Sequence, residues 1–299
     1  MRILILGGDG MLGHQLLTMW SERHDVTVTV RQPLAAYASY GLFSTHNTID
    51  GVDARDPDAV RSVIERVSPA AVVNGIGIVK QRDEAKAAIP SIEINALFPH
   101  RLLELCRAGG ARLVHVSTDC VFSGRTGGYR ESDVPDPVDL YGRSKLLGEV
   151  EHAPGLTLRT SIIGLELSRK VGLIEWFLAQ RGMIRGFRRA IYTGLTTRVL
   201  GRLIERILLD HPDLQGVWQV ASAPITKYAL LTELSRRLAR TDIEIAADDT
   251  FVCDRSLLAD RFADATGYRA PAWNEMLDEL AGDIRQRQAR AAVAGAQEA

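Results

Sequence analysis

Tyr141 and Lys145 stand four residues apart in Tyr141-Gly142-Arg143-Ser144-Lys145. On a helix both would project from one face, a turn apart. A free phenol has a pKa of about 10, too high for efficient proton transfer near neutrality. A neighbouring ammonium favours the phenolate, and each unit of pKa depression corresponds to about 1.4 kcal/mol. The pair is therefore a candidate acid–base device. Upstream, Ser117-Thr118-Asp119 ends an apolar run and offers hydroxyls that can hydrogen-bond a substrate carbonyl. Tyr-x-x-x-Lys is common by chance and also describes an exposed helical pair, so its meaning depends on its surroundings.

A second constellation is Gly7-Gly8-Asp9-Gly10-Met11-Leu12-Gly13, between the apolar run Ile3–Leu6 and a helix candidate. Glycine lets a chain turn sharply and approach a pyrophosphate without a Cβ in the way, while the helix amides and dipole face the anion. Two spacings fit, Gly7/Gly10/Gly13 and Gly8/Gly10/Gly13. An ordinary tight turn would also use glycines. The strand before, the helix after and a second strand about 20 residues on favour a dinucleotide site. An NAD site places a carboxylate at the end of that second strand, whereas an arginine accommodates the extra phosphate of NADP. The chain reads Val28-Thr29-Val30-Arg31-Gln32 there. Arg31 favours NADPH, with NADH the second candidate; the alternative for Arg31 is a surface residue on a loop.

The elements that must position these groups are legible as alternating periods. Ile3–Leu6, Val26–Val30, Ala70–Val73, Leu113–Ser117 and Leu156–Ser161 read as strands, mostly apolar or β-branched as parallel strands covered on both faces should be. Met11–Ser21, Pro57–Val67, Ile92–Cys106 and Tyr141–Glu151 read as helices, the second opened by the capping pair Asp56-Pro57. The alternation predicts an α/β fold with a doubly wound parallel sheet of Rossmann type. Its strand ends form the ligand crevice. After about Gly164 the pattern weakens. Helices are expected over Leu173–Gln180, Thr197–Leu209, Tyr228–Arg240 and Asn274–Arg287, a basic loop over Arg181–Arg189 and one more strand at Val217–Val220. The expected division is a Rossmann domain over residues 1–165, rejoined at about 190–222. A smaller substrate-binding lobe would take residues 166–189 and 223–290, with a frayed tail over 291–299.

The chain has 299 residues, nearly half apolar, and a net charge of −1, which gives no argument for a nucleic-acid or membrane partner. Cys106, Cys120 and Cys253 are far apart and odd in number. They suggest neither a disulfide framework nor a metal site, and a reducing compartment is expected. No secretion signal is read at the N-terminus and no apolar run nears the ~20 residues of a membrane helix, so the expected location is cytoplasmic.

With these residues in place, the chain resembles the extended short-chain dehydrogenase/reductases, and more narrowly their dTDP-4-dehydrorhamnose reductase branch. The resemblance is carried by Gly7 to Gly13, Ser117-Thr118-Asp119-Cys120-Val121-Phe122-Ser123-Gly124, Tyr129-Arg130-Glu131, Asp139-Leu140 running into Tyr141 through Glu149, and Arg159-Thr160-Ser161. It covers about the first 165 residues; beyond them Gly194-Leu195-Thr196-Thr197 is similar to a substrate-side segment. The resemblance implies Thr118, Tyr141 and Lys145 as a catalytic triad that reduces a 4-keto group on a nucleotide-linked deoxysugar, with NADPH as hydride source. Tyr141 would protonate the oxygen, Thr118 polarise the carbonyl and Lys145 also hold the nicotinamide ribose. Cofactor contacts carry over to Gly7, Gly10, Met11, Leu12, Gly13, Asn74 and Asp53, the last near the adenine. A homodimer is implied by analogy only.

One stretch departs from that branch. After Val72-Val73-Asn74 its members tend to run through small residues into a His-Thr-Ala-Val-Asp-like segment, whereas this chain has Gly75-Ile76-Gly77-Ile78-Val79-Lys80-Gln81. Lys80 could meet a substrate phosphate or carboxylate, or be solvated, and the departure points to a related deoxysugar or polysaccharide precursor. Further substrate-side candidates are Arg188, Tyr192, Thr196 and Thr197, with Trp176 expected in the core rather than as a stacking platform. The cluster Arg181, Arg185, Arg188 and Arg189 could hold a diphosphate or be solvated surface. Two rival functions stand beside the reductase: an NAD-retaining sugar-nucleotide epimerase or dehydratase, and a non-catalytic scaffold subunit. The first is disfavoured by Asp119-Cys120, where dehydratases carry Asp-Glu, and by the lack of an acidic second-strand end. The second is disfavoured by the joint presence of Thr118, Tyr141 and Lys145.

Overall fold

The structure is a computed structural model that describes residues 1–80 and 86–297. Its first half alternates strand and helix: β1 (Arg2–Leu6), α1 (Met11–Trp20), β2 (Asp25–Thr29), β3 (Thr48–Ile49), α2 (Pro57–Val67), β4 (Ala71–Asn74), α3 (Ala88–Ser91), α4 (Phe98–Ala108), β5 (Arg112–Val116), α5 (Leu140–Leu147) and β6 (Gly155–Arg159). A π-helical turn, Ile92–Leu97, joins α3 to α4. Asp56 caps α2 as its sequence predicts, accepting from the amides of Asp58 and Ala59 at 3.1 Å each. Helix α5 ends earlier than expected. Gly148 presses so closely on the Asn95 carbonyl that a Cβ would overlap it, which docks the end of α5 against the π turn.

The second half contributes β7 (Ile162–Ile163), α6 (Leu173–Ala179), β8 (Gly182–Phe187), β9 (Ala190–Tyr192), β10 (Leu195–Thr196), α7 (Thr197–Asp210), β11 (Gly216–Gln219), β12 (Ile225–Thr226), α8 (Lys227–Arg237), β13 (Ile243–Asp248), β14 (Cys253–Asp254), α9 (Asp260–Thr266) and α10 (Trp273–Gln297). Among the described residues the central sheet has seven strands in the order β11-β6-β5-β4-β1-β2-β3, all paired in parallel. The doubly wound Rossmann sheet is the observed fold. The order reverses between β1 and β4, the place where such sheets open a crevice at their carboxyl ends.

Two apolar layers explain the unbroken apolar strands. Ile3 and Ile5 of β1 face one layer with Leu12, Leu16 and Leu17 of α1 and Leu200, Leu203, Ile204 and Ile207 of α7. Leu4 and Leu6 face the other, with Val60, Val63 and Ile64 of α2 and Leu102 and Leu103 of α4. Alternate residues of one strand thus serve opposite faces.

Three expectations are corrected here. The basic loop Arg181–Arg189 is in large part strand β8, paired in parallel with β13 from Gly182↔Ile243 to Phe187↔Asp248. Its period of two runs through Met183, Ile184 and Arg185, exposed, buried and exposed, and the arginines mask it as a charge run. Trp176 lies outside the core, at 40% exposure, because α6 turns Ile174 and Phe177 inward instead. The tail expected to fray from residue 291 continues as helix to Gln297. Residues 298–299 of that tail, and Gln81 of the departing loop, lie outside the described residues. No described helix is long and apolar enough to cross a membrane.

Candidate active site

The glycine-rich turn joins β1 to α1. Gly7 adopts a φ of +82°, which disfavours any residue with a side chain. A Cβ on Gly13 would overlap the Gly7 carbonyl oxygen, and one on Gly8 would lie 2.6 Å from Val28 Cβ. Gly10 donates to the Gly7 carbonyl at 3.0 Å and closes the turn. Both glycine spacings therefore hold at once: Gly7 serves backbone angle, Gly8 packing on β2, and Gly13 the contact of helix with turn. Gly10 is the N-cap of α1 and supplies no side-chain cap, so the first amides of the helix are left to a ligand anion. A cradle that a Cβ would fill, in front of an uncapped helix, fits a dinucleotide pyrophosphate.

Beside it, α5 begins at a clamp. Asp139 accepts from the Gly142 amide at 2.8 Å and binds the Lys80 ammonium at 2.7 Å. Thr118, Tyr141 and Lys145 then line one cavity of about 590 Å³ together with Gly10, Met11, Leu12 and Asn74. Burial pushes the Tyr141 phenol above its ordinary value, helped by Cys120 and Asp119 and opposed by a hydrogen bond with Thr118. The expected depression by Lys145 is thus overturned, because desolvation of the phenolate dominates. Burial also lowers Lys145, to about 8, against the pull of Glu149. Its Nζ donates to the Val116 carbonyl at 2.7 Å.

A buried polar network inside an apolar shell links Ser117 to Arg159. Glu149 accepts from Ser117 Oγ at 2.7 Å and pairs with Arg159 at 2.7 Å, both partners of the ion pair being buried. The guanidinium lies over the Phe122 ring, which stacks on Tyr129 with centroids 4.2 Å apart. Asn95, on the π turn, accepts from the Ile78 amide at 2.9 Å and donates to the Ile78 carbonyl at 3.0 Å and to Ser144 Oγ at 3.2 Å. It thereby pins the loop that departs from the branch pattern onto α5.

The sequence-predicted residues divide clearly. Gly10, Met11, Leu12, Asn74, Lys80, Thr118, Tyr141, Lys145 and Tyr192 converge on the cavity, while Gly7 and Gly13 shape the turn beneath it. Arg31, exposed just past β2, lies outside the cavity. So does Asp53, which Arg55 grips at 2.6 Å and holds down at about 2. Lys80 is committed to Asp139 rather than simply solvated. Three substrate-side candidates are corrected. Arg188 is not at the cavity and pairs with Asp249, just as Arg181 and Arg185 pair with Asp242 and Asp248. Thr196 is buried and caps α7 by accepting from the Val199 amide at 3.4 Å. Thr197 is buried against Gly164, whose missing Cβ makes room for it.

Sequence reasoning missed Arg169, Lys227 and Arg255, which line the same cavity. Arg169 reaches Asp9 of the glycine turn at 3.7 Å. Arg255 donates from Nε to the Phe122 carbonyl at 2.8 Å, and among the described residues neither Arg255 nor Lys227 belongs to an ion pair. No motif flags these two, because they come from loop and helix-start positions far along the chain that only the tertiary fold returns to the strand ends.

Comparison with known proteins follows the same outline. Residues 1–163 match the family described as the RmlD substrate binding domain. The methionine adenosyltransferase 2 subunit beta of Danio rerio is 33% identical over 195 residues, 58% of this chain and 58% of that protein. The dTDP-4-dehydrorhamnose reductase of Streptomyces griseus is 34% identical over 149 residues, 50% of this chain and 43% of that one. The chain thus spans about half the length of the curated relatives it matches. Among solved structures, a dTDP-4-dehydrorhamnose reductase from Bacillus anthracis in complex with NADP superposes with a TM-score of 0.76 at 20% identity, covering 93% of this chain and 98% of that one. At that identity the likeness concerns the fold.

Proposed function

We propose, given that the chain belongs to the RmlD substrate binding domain family of extended short-chain dehydrogenase/reductases, that it is an NADPH-dependent reductase of a 4-keto group on a nucleotide-linked deoxysugar. The observation that carries this reading is the convergence of Thr118, Tyr141 and Lys145 with the glycine turn on one cavity at the sheet's switch point. Gly7, Gly10, Met11, Leu12, Gly13 and Asn74 would hold the dinucleotide. Arg31 and Asp53 would meet its adenosine end, and Lys145 its ribose. When bound, the reduced nicotinamide supplies the hydride.

This chain's own residues do the rest. Tyr141, held protonated by burial, gives its proton to the carbonyl oxygen as that oxygen gains charge. Thr118 hydrogen-bonds the same oxygen and orients it. Arg255 and Lys227, two cavity cations that form no ion pair among the described residues, suit the diphosphate that joins sugar to nucleotide. Tyr192, which also lines the cavity, stays a substrate-side residue.

A non-catalytic subunit is the second reading, favoured by the 33% identity to the methionine adenosyltransferase subunit. Titration of nicotinamide fluorescence with NADPH and NADH is the direct test of the cofactor. Tighter binding of NADPH, weakened about tenfold by Arg31→Ala, is expected for the loss of one charge-assisted phosphate contact. Equal affinities, or no effect of Arg31→Ala, would refute the NADPH assignment.

A further inference from the structure

Asn74 and Lys145 are joined by His115, a buried residue to which the reaction above gives no part. Asn74 Oδ1 accepts the backbone N–H of Ile76 at 3.1 Å. A backbone N–H only donates, so the amide cannot be turned end for end. Its Nδ2 consequently faces His115 Nδ1, at 3.1 Å. An amide nitrogen offers hydrogens and no acceptor, so Nδ1 must accept. His115 is fully buried, and burial together with Lys145 and His100 holds it well below its ordinary value, as a neutral ring. A neutral imidazole carries a single N–H, which leaves it on Nε2, 3.5 Å from Lys145 Nζ.

An N–H aimed at an ammonium sets donor against donor; aimed at a neutral amine it finds a lone pair. We infer that Asn74 and His115 form a positioning relay that fixes the imidazole as its Nε2–H tautomer and weakens the hold of Lys145 on its proton. The inference rests on Lys145 belonging to the proposed site. The other groups around Nζ do not decide the matter against it. The Val116 carbonyl on β5 accepts from amine and ammonium alike. Glu149, just past the end of α5, favours the ammonium but is already engaged by Ser117 and by Arg159 from β6. Tyr141 on α5 is held as a neutral phenol, and burial raises the Asp119 carboxyl beyond β5. His100 on α4 acts on His115 rather than on Nζ. Burial itself pulls Lys145 in the same direction as the relay. The consequence is functional: a lysine that releases its proton near neutrality can return one to Tyr141 after each transfer, and regains its own from water.

Two measurements test the relay, and neither needs substrate. Ring-nitrogen NMR of His115 in the native protein should find the Nε2–H tautomer across the neutral range, and a proton on Nδ1 would overturn the inference. The pH dependence of Lys145 acetylation by acetic anhydride, read by mass spectrometry, should have its midpoint well below the ordinary lysine range in the native protein, since burial alone brings Lys145 to about 8. In H115Q the new side chain can turn a carbonyl toward Nζ. The midpoint should then rise by about one unit or more, with roughly tenfold slower labelling at neutral pH. An unchanged midpoint in folded H115Q would overturn the relay, and if H115Q does not fold the ring-nitrogen result decides. Failure here leaves NADPH binding intact, whereas failure of the NADPH titration would leave the tautomer unaltered.

Discussion

Arg255 shows how one residue can matter to a site and yet be silent in the sequence. Tyr141 and Lys145 advertise themselves by spacing, and the glycines by their place between strand and helix. Arg255 sits in no motif, and only the tertiary fold brings it over the Phe122 carbonyl and into the cavity. The surface arginines look more like an anion site on paper, yet Arg181, Arg185 and Arg188 are each spent on a carboxylate. Arg255→Met keeps the packing of the stem and removes the charge. A charge-assisted hydrogen bond is worth about 1.5–3 kcal/mol, so KM for a diphosphate-linked sugar should rise at least ~10-fold with kcat changed far less. Steady-state kinetics checks this, and an unaltered KM would remove Arg255 from the substrate site.

At the scale of elements, most of the first half was legible because its strands are apolar on both faces and its helices carry recognisable starts. The π turn, the early end of α5 and strand β8 were not. Each depends on a contact with something distant: the Asn95 carbonyl against Gly148, and β13 against β8. Thr196 illustrates the opposite error. Its neighbourhood resembles a substrate-side segment, but its hydroxyl caps α7, the helix whose Gly201 lets α1 approach through Leu16 and Met19. Thr196→Ala should therefore lower unfolding stability by about 1 kcal/mol, the usual worth of such a cap, and leave KM for the sugar nucleotide unchanged. Denaturant titration beside kinetics separates the two roles; a raised KM with undiminished stability would restore Thr196 to the substrate side.

At the scale of the molecule, the cavity belongs to neither half alone. It is lined from the first half by the carboxyl ends of β4 and β5 and by α1 and α5, and from the second half by Arg169, Tyr192, Lys227 and Arg255. The second half also completes the core, since Phe262 of α9 and Met276 of α10 pack in the same apolar layer as β1 and α7. The first 165 residues thus display the motifs that line this cavity, while its remaining lining is written in tertiary contacts. On the function proposed above, this assembled cavity performs reduction and is not a retained scaffold. The most direct measurement follows consumption of NADPH when a dTDP-linked 4-keto-6-deoxysugar is added to the native protein and to Tyr141→Phe. Positioned proton transfer contributes about 10²–10⁴-fold, so the native protein should turn over and Tyr141→Phe should be slower by about that factor while still binding NADPH. Equal consumption by both proteins, or none by a native protein that binds cofactor and sugar nucleotide, would contradict it.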